Sequence, residues 1–165
     1  MPKSYDDLMA AFAGESQARN KYIAFAKKAD DEGFAAAAKL FRAAAAAELV
    51  HAQNHFKAAG EVKTTVENLQ AAIGGENYEV TTMYPPMLAN AQAEGNKRGA
   101  TSFEYALEVE KVHEALYRES LASLSKDAEV FDYYVCPVCG YTHARSAPDK
   151  CPVCSTPGGK FTQVK

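Results

Sequence analysis

The chain has 165 residues, 47% of them hydrophobic and 24% charged, with a formal net charge of −3. That size fits one soluble domain with a substantial core and room for a small satellite. No run of Lys or Arg offers a surface to nucleic acid or an anionic membrane, and no segment approaches the roughly 18 apolar residues that mark a membrane span. MPKSYDDLMAAFAGE carries acids where a signal peptide carries an apolar run, so the expected localisation is cytoplasmic.

From Ser4 to about Asp31, the spacing of Leu8, Phe12, Tyr22 and Phe25 predicts an amphipathic helix, with Ser4 and Asp7 resembling a capping box. Gly33 marks a turn, and Phe34 to Ala59 predicts a second, alanine-rich helix ending at Gly60 and antiparallel to the first. Glu61 to Gly75 reads as a connector with a short helix at Val66 to Ile73, closed by Gly74-Gly75. A third helix is expected from Glu76 to Ala93 and a fourth from Lys97 to Lys126, completing a four-helix bundle. Pro85-Pro86 removes two backbone donors and predicts a kink near Thr82, unless the helix starts at Pro85. After Asp127 the composition turns aromatic and rich in Pro and Gly, and a metal-stapled module is expected from Phe131.

Two of these helices carry the same pair, Glu48 with His51 in AAAAAELVHAQNH and Glu110 with His113 in ALEVEKVHEALY. Residues three apart share a helix face with Cβ atoms roughly 5–6 Å apart, so each pair can converge on one point. The alanines before Glu48 let a neighbouring helix approach, leaving the carboxylate poorly hydrated. A cation removes the cost of burying that charge. One such pair on a helix is ordinarily a solvated face; two, each with a further carboxylate in its hairpin, are not. Di-iron and di-manganese bundles take a Glu from each of two helices and a Glu-x-x-His from each of the other two. Here the first helix offers Glu15, the second Glu48 and His51, the third Glu76 or Glu79 in GENYE, and the fourth Glu110 and His113. Glu15 and Glu48 are 33 positions apart, and Glu79 and Glu110 are 31 apart, which reads as a duplicated half-site. Glu76 and Glu79 together make one carboxylate too many, and a surplus ligand suggests a switch.

All four cysteines fall in two CPVC units, Cys136 with Cys139 and Cys151 with Cys154, separated by eleven residues. In a reducing compartment such pairs hold a metal rather than form disulfides, and four thiolates in a tetrahedron suit zinc or a single iron. A structural zinc ribbon typically has a longer gap, of about 15–20 residues.

The motifs AGESQARNKY, ELVHAQNH, GENYEVTTMYP, EVEKVHEALY and CPVCGYTH with CPVC together resemble the rubrerythrin family over nearly the whole chain. The resemblance implies a ferritin-like di-iron four-helix bundle at 1–130 and a rubredoxin-like FeS4 domain at 131–165. It implies two iron atoms on Glu15, Glu48, Glu76, Glu79, Glu110 and His113, with His51 alternating with Glu79 as the redox state changes. Tyr22 and Tyr84 fall where the family places tyrosines beside the cluster, and Cys136, Cys139, Cys151 and Cys154 would hold a third iron, with zinc as its substitute. Pro86 and the short cysteine gap depart from the family pattern. The implied activity is reduction of hydrogen peroxide to water, with electrons passing through the FeS4 centre from a rubredoxin or an NAD(P)H-dependent reductase. A homodimer is expected, with helix pairs exchanged between chains in one version and one chain's FeS4 centre serving its partner's di-iron site. Two other classes stay open on sequence alone: a ferroxidase or iron-handling protein with a structural zinc ribbon, and a non-catalytic scaffold.

Overall fold

A computed structural model describes residues 2–165, which fall into two compact units, one ending at Lys63 and the other running from Thr64 to Lys165. Among the described residues no helix is long and apolar enough to cross a membrane.

The first unit is a helical hairpin of α1 (Lys3–Asp31) and α2 (Ala35–Ala58). Gly33 sits at φ +83°, where a side chain would be strained. Its N–H donates to Asp30 O, and that of Phe34 donates to Ala29 O, closing α1 in a Schellman turn. Gly60 repeats the device on Lys57 and Phe56 at the end of α2. Phe12 stacks on Phe56 at 4.7 Å and Tyr22 lies 6.2 Å from Phe41, so the helices run antiparallel. Ala38, Ala45 and Ala52, spaced by seven on α2, are buried with Ala26 and Ala29 of α1. Small side chains on this seam bring the two axes close. Several larger apolar residues are left outside: Leu40 is 70% exposed and Phe34 62%. The start of α1 differs from expectation, because its cap is Pro2 with no side-chain bond, and Ser4 lies inside the helix.

The second unit begins with a capping box at Thr64 and Glu67, which starts α3 (Thr65–Tyr78). Gly74-Gly75 does not end this helix, so the expected short connector helix and third helix form one continuous stretch. Packing against α5 (Lys97–Ala122) overrides the weak helix propensity of glycine. At Glu79–Met83 the backbone opens into a π-helical turn before α4 (Tyr84–Ala93). Pro85 and Pro86 fill the first turn of α4, where proline's missing donor costs least. Tyr84 N–H reaches back to Glu79 O, and the Thr81 hydroxyl donates to Asn77 O at 2.7 Å. The proline pair thus produces a π-turn around Thr82, the position where a kink was expected. α5 runs antiparallel to this stretch and stops at Ala122, four residues short of the expected Lys126.

A three-stranded antiparallel sheet of β1 (Tyr133–Val135), β2 (Thr142–Ala144) and β3 (Thr162–Val164), in the order β2-β1-β3, completes the second unit and contacts α5 through β2. Each CPVC forms a turn outside the strands. Cys136 N–H donates to Tyr141 O and Gly140 N–H to Cys136 O; in the second turn Cys151 and Thr156 pair the same way, as do Ser155 and Cys151.

Candidate metal centres

In the first unit, α1 presents Glu15 and α2 presents Glu48 and His51, with donor atoms all within 4.8 Å of one another. His51 Nδ1 stands 2.9 Å from Glu48 Oε2. Opposite donors around one cation, with bonds of about 2.1 Å, are about 4.2 Å apart, so small side-chain adjustments close this set on an ion. The Glu48 side chain is 19% exposed and that of His51 53%, so the imidazole is the looser of the two. Tyr22, two turns along α1 from Glu15, lies in a cluster with Phe25 and Phe41.

The second unit gathers Glu76 of α3 with Glu110 and His113 of α5 at the same tight spacing. His113 Nδ1 is 2.7 Å from Glu110 Oε2. Burial, with the Glu110 and Glu79 carboxylates close by and His113 only partly offsetting them, pushes Glu76 up to about 7. Glu79, at the head of the π-turn, lies outside the tightest cluster but is also raised, by burial and then by Glu110. The Tyr84 hydroxyl is raised by burial and then by Glu79, Glu110 and Glu76, which keeps it a proton-bearing donor beside three carboxylates. Crowded acids that resist ionisation are a cation's natural site.

The four cysteines converge with Sγ of Cys136 and Cys154 3.5 Å apart, and Sγ of Cys139 and Cys151 also 3.5 Å apart. A disulfide would need about 2.05 Å. A tetrahedron with metal–sulfur bonds of about 2.3 Å has edges of about 3.8 Å, so the thiols fit one metal ion. Burial pushes the Cys139 thiol up, against a hydrogen bond from the Tyr141 backbone N–H. Burial would raise Cys154 as well, but hydrogen bonds from the Thr156 hydroxyl, 3.1 Å away, and from its backbone lower it to about 6.

His113 also meets this module. Its Nε2 lies 2.9 Å from Thr142 Oγ1 on β2. The sequence expectation set the FeS4 centre against a partner's di-iron site; the contact seen here is with His113 of the same chain. Neither Thr142 nor Thr156 was singled out in the sequence, because a hydroxyl in a short strand or loop follows no ligand spacing. Their nearness to the CPVC turns was the only signal.

The rubrerythrin family model matches residues 6–121, and the model of the rubrerythrin rubredoxin-like domain matches residues 134–162. Rubrerythrin-2 of Clostridium acetobutylicum is 35% identical over 94% of this chain and 94% of its own length. Nigerythrin of Nitratidesulfovibrio vulgaris is 37% identical over 95% of this chain and 84% of its own length. A solved structure of nigerythrin in its mixed-valence state covers 98% of this chain and 86% of that one, with a TM-score of 0.60 and 34% identity. With its glutamate and histidine groups for a di-iron carboxylate site and its four-cysteine rubredoxin-like site, the chain belongs to the rubrerythrin family.

Proposed function

We propose that this protein is a peroxidase that reduces hydrogen peroxide to water, taking up two electrons and two protons per peroxide. When bound, the two irons supply the electron pair and the FeS4 centre replaces it one electron at a time. The observation that carries this reading is His113, whose Nδ1 faces the carboxylates while its Nε2 touches the cysteine module. A zinc staple has no use for such a contact; an electron donor does.

In this reading Glu15, Glu48, Glu76, Glu110 and His113 would be the fixed ligands of the two irons, and Glu79 and His51 would exchange on one of them. Two features support the exchange: Glu79 opens a π-turn, a backbone irregularity frequent at functional sites, and His51 is half exposed. Carboxylate favours the ferric ion and imidazole the ferrous ion, so the ligand would follow the charge. Tyr84, which keeps its proton beside these carboxylates, would donate a hydrogen bond into the site, and Tyr22 would stand beside the first half-site. Residues 1–130 would form the di-iron domain and 131–165 the FeS4 domain, acting in the cytoplasm with a rubredoxin or an NAD(P)H-dependent reductase as donor.

The chain works as a homodimer with helix pairs exchanged. Ferritin-like bundles need one long crossover. α2 has 24 residues and is about 36 Å long, whereas the six residues between Ala58 and Thr65 reach about 20 Å at most. The apolar residues left exposed on the first hairpin are consistent with a surface that another hairpin covers. Each di-iron site then takes one half-site from each chain, and the FeS4 centre serves a site shared with the partner. Sedimentation at micromolar concentration should give a dimer, and a monomer would defeat the exchange. Anaerobic titration of the fully reduced protein with peroxide should consume two electrons per peroxide; one electron, or none, would defeat the peroxidase reading.

A further inference from the structure

Thr142 has one hydroxyl proton, and it donates that proton to Gly140 O at 3.1 Å. Its oxygen is then free to accept from His113 Nε2, 2.9 Å away, the arrangement that puts a hydrogen on that nitrogen. With a cation held by Glu110 and Glu76, Nδ1 is the nitrogen that faces it and would bind it. The Gly140 carbonyl belongs to the same peptide unit as the Tyr141 N–H, and that N–H donates to the Cys139 sulfur. A continuous chain results, from the His113 ring through the Thr142 hydroxyl and one peptide group to Cys139. Leu69, Leu116 and Val135, with the hydroxyl-bearing Tyr117, Ser120 and Tyr133, line a cavity of about 340 Å³ at this junction.

We infer that Thr142 is a positioning residue joining the two metal sites: it fixes His113 with hydrogen on Nε2, and it completes a hydrogen-bonded route from Cys139 to the di-iron half-site of its own chain. With both sites loaded, the route would carry one electron from a ferrous ion held by the four cysteines to a ferric ion held by Glu76, Glu110 and His113, with no proton crossing. Nothing in the ligand set requires this hydroxyl, and valine would fill the same space in β2.

The test compares the full-length protein with Thr142→Val and Thr142→Ser. In zinc-substituted, diamagnetic protein, the Nε2–H resonance of His113 should exchange with water about tenfold faster in Thr142→Val and remain protected in Thr142→Ser. In iron-loaded protein reduced anaerobically, reoxidation of the FeS4 centre after peroxide should slow about tenfold or more in Thr142→Val and recover in Thr142→Ser, the range expected when a ligand's supporting partner is lost. An unchanged Nε2–H signal in the valine variant overturns the positioning role. A changed signal with an unchanged rate overturns the electron route. The kinetic arm rests on the peroxidase reading: if peroxide fails to reoxidise even the unmodified protein, that reading falls, while the exchange measurement still decides the role of Thr142.

Discussion

Replacing Glu76 with Gln should stabilise the protein when its carboxylate sites hold no metal, and only at high pH. Glu76 is raised from 4.5 to about 7 by burial and by Glu110, with Glu79 adding to the effect. Between those two pH values the folded chain holds a proton that the unfolded chain has released. Stability is therefore greatest near pH 4.5 and falls as pH rises through about 7. Two and a half pH units set a ceiling of about 3.4 kcal/mol, and solvent screening of this partly exposed carboxylate reduces it to about 1–2 kcal/mol. Glutamine cannot ionise and escapes that loss. With the carboxylate sites stripped by a mild chelator and the cysteine metal retained, urea unfolding should give similar midpoints for the two proteins at pH 4.5. At pH 8 the variant should be ahead by about 0.5–1 M urea, using a slope of about 2 kcal/mol/M. A midpoint difference that is the same at both pH values, or a variant weaker at pH 8, would refute the argument that these acids are held together against their own repulsion.

Three further outcomes follow from the fold. Thr64→Ala removes the side chain that caps α3 and should cost about 1 kcal/mol, lowering Tm by about 2–4 °C in thermal melts. Ala45→Leu places a large side chain on the buried seam of the first hairpin and should cost about 1–3 kcal/mol in the same assay, whereas a tolerated leucine would mean that the helices do not approach closely there. Cys151→Ser removes one of four converging thiols and should abolish the visible spectrum of the iron-loaded cysteine site, with iron stoichiometry falling by about one per chain.

The parts of the site written as helix spacing were legible in the sequence. Glu48 with His51 and Glu110 with His113 had to share faces, and the two CPVC units had to converge, because three-residue steps and short knuckles fix local geometry. The glycine at 33 announced its turn for the same reason. What failed was the reading of elements whose state depends on distant packing. Gly74-Gly75 looked like a helix end, yet α5 lies against that segment and keeps it helical. The Pro85-Pro86 pair signalled an irregularity, but not that it would be a π-turn with Glu79 at its head. Ser4 with Asp7 had the capping pattern in outline, while the box that forms uses Thr64 and Glu67. Thr142 was invisible because its importance lies 29 residues away, at His113.

The most direct test of peroxide reduction by this protein is the rate at which its reduced FeS4 centre turns red again. The iron-loaded protein is reduced anaerobically and mixed in a stopped-flow cell with hydrogen peroxide or with air-saturated buffer, and the FeS4 absorbance is followed. Peroxide should restore the oxidised spectrum far faster than air does. Recovery with peroxide no faster than with air, or a cysteine site that stays colourless when iron is supplied, would contradict it.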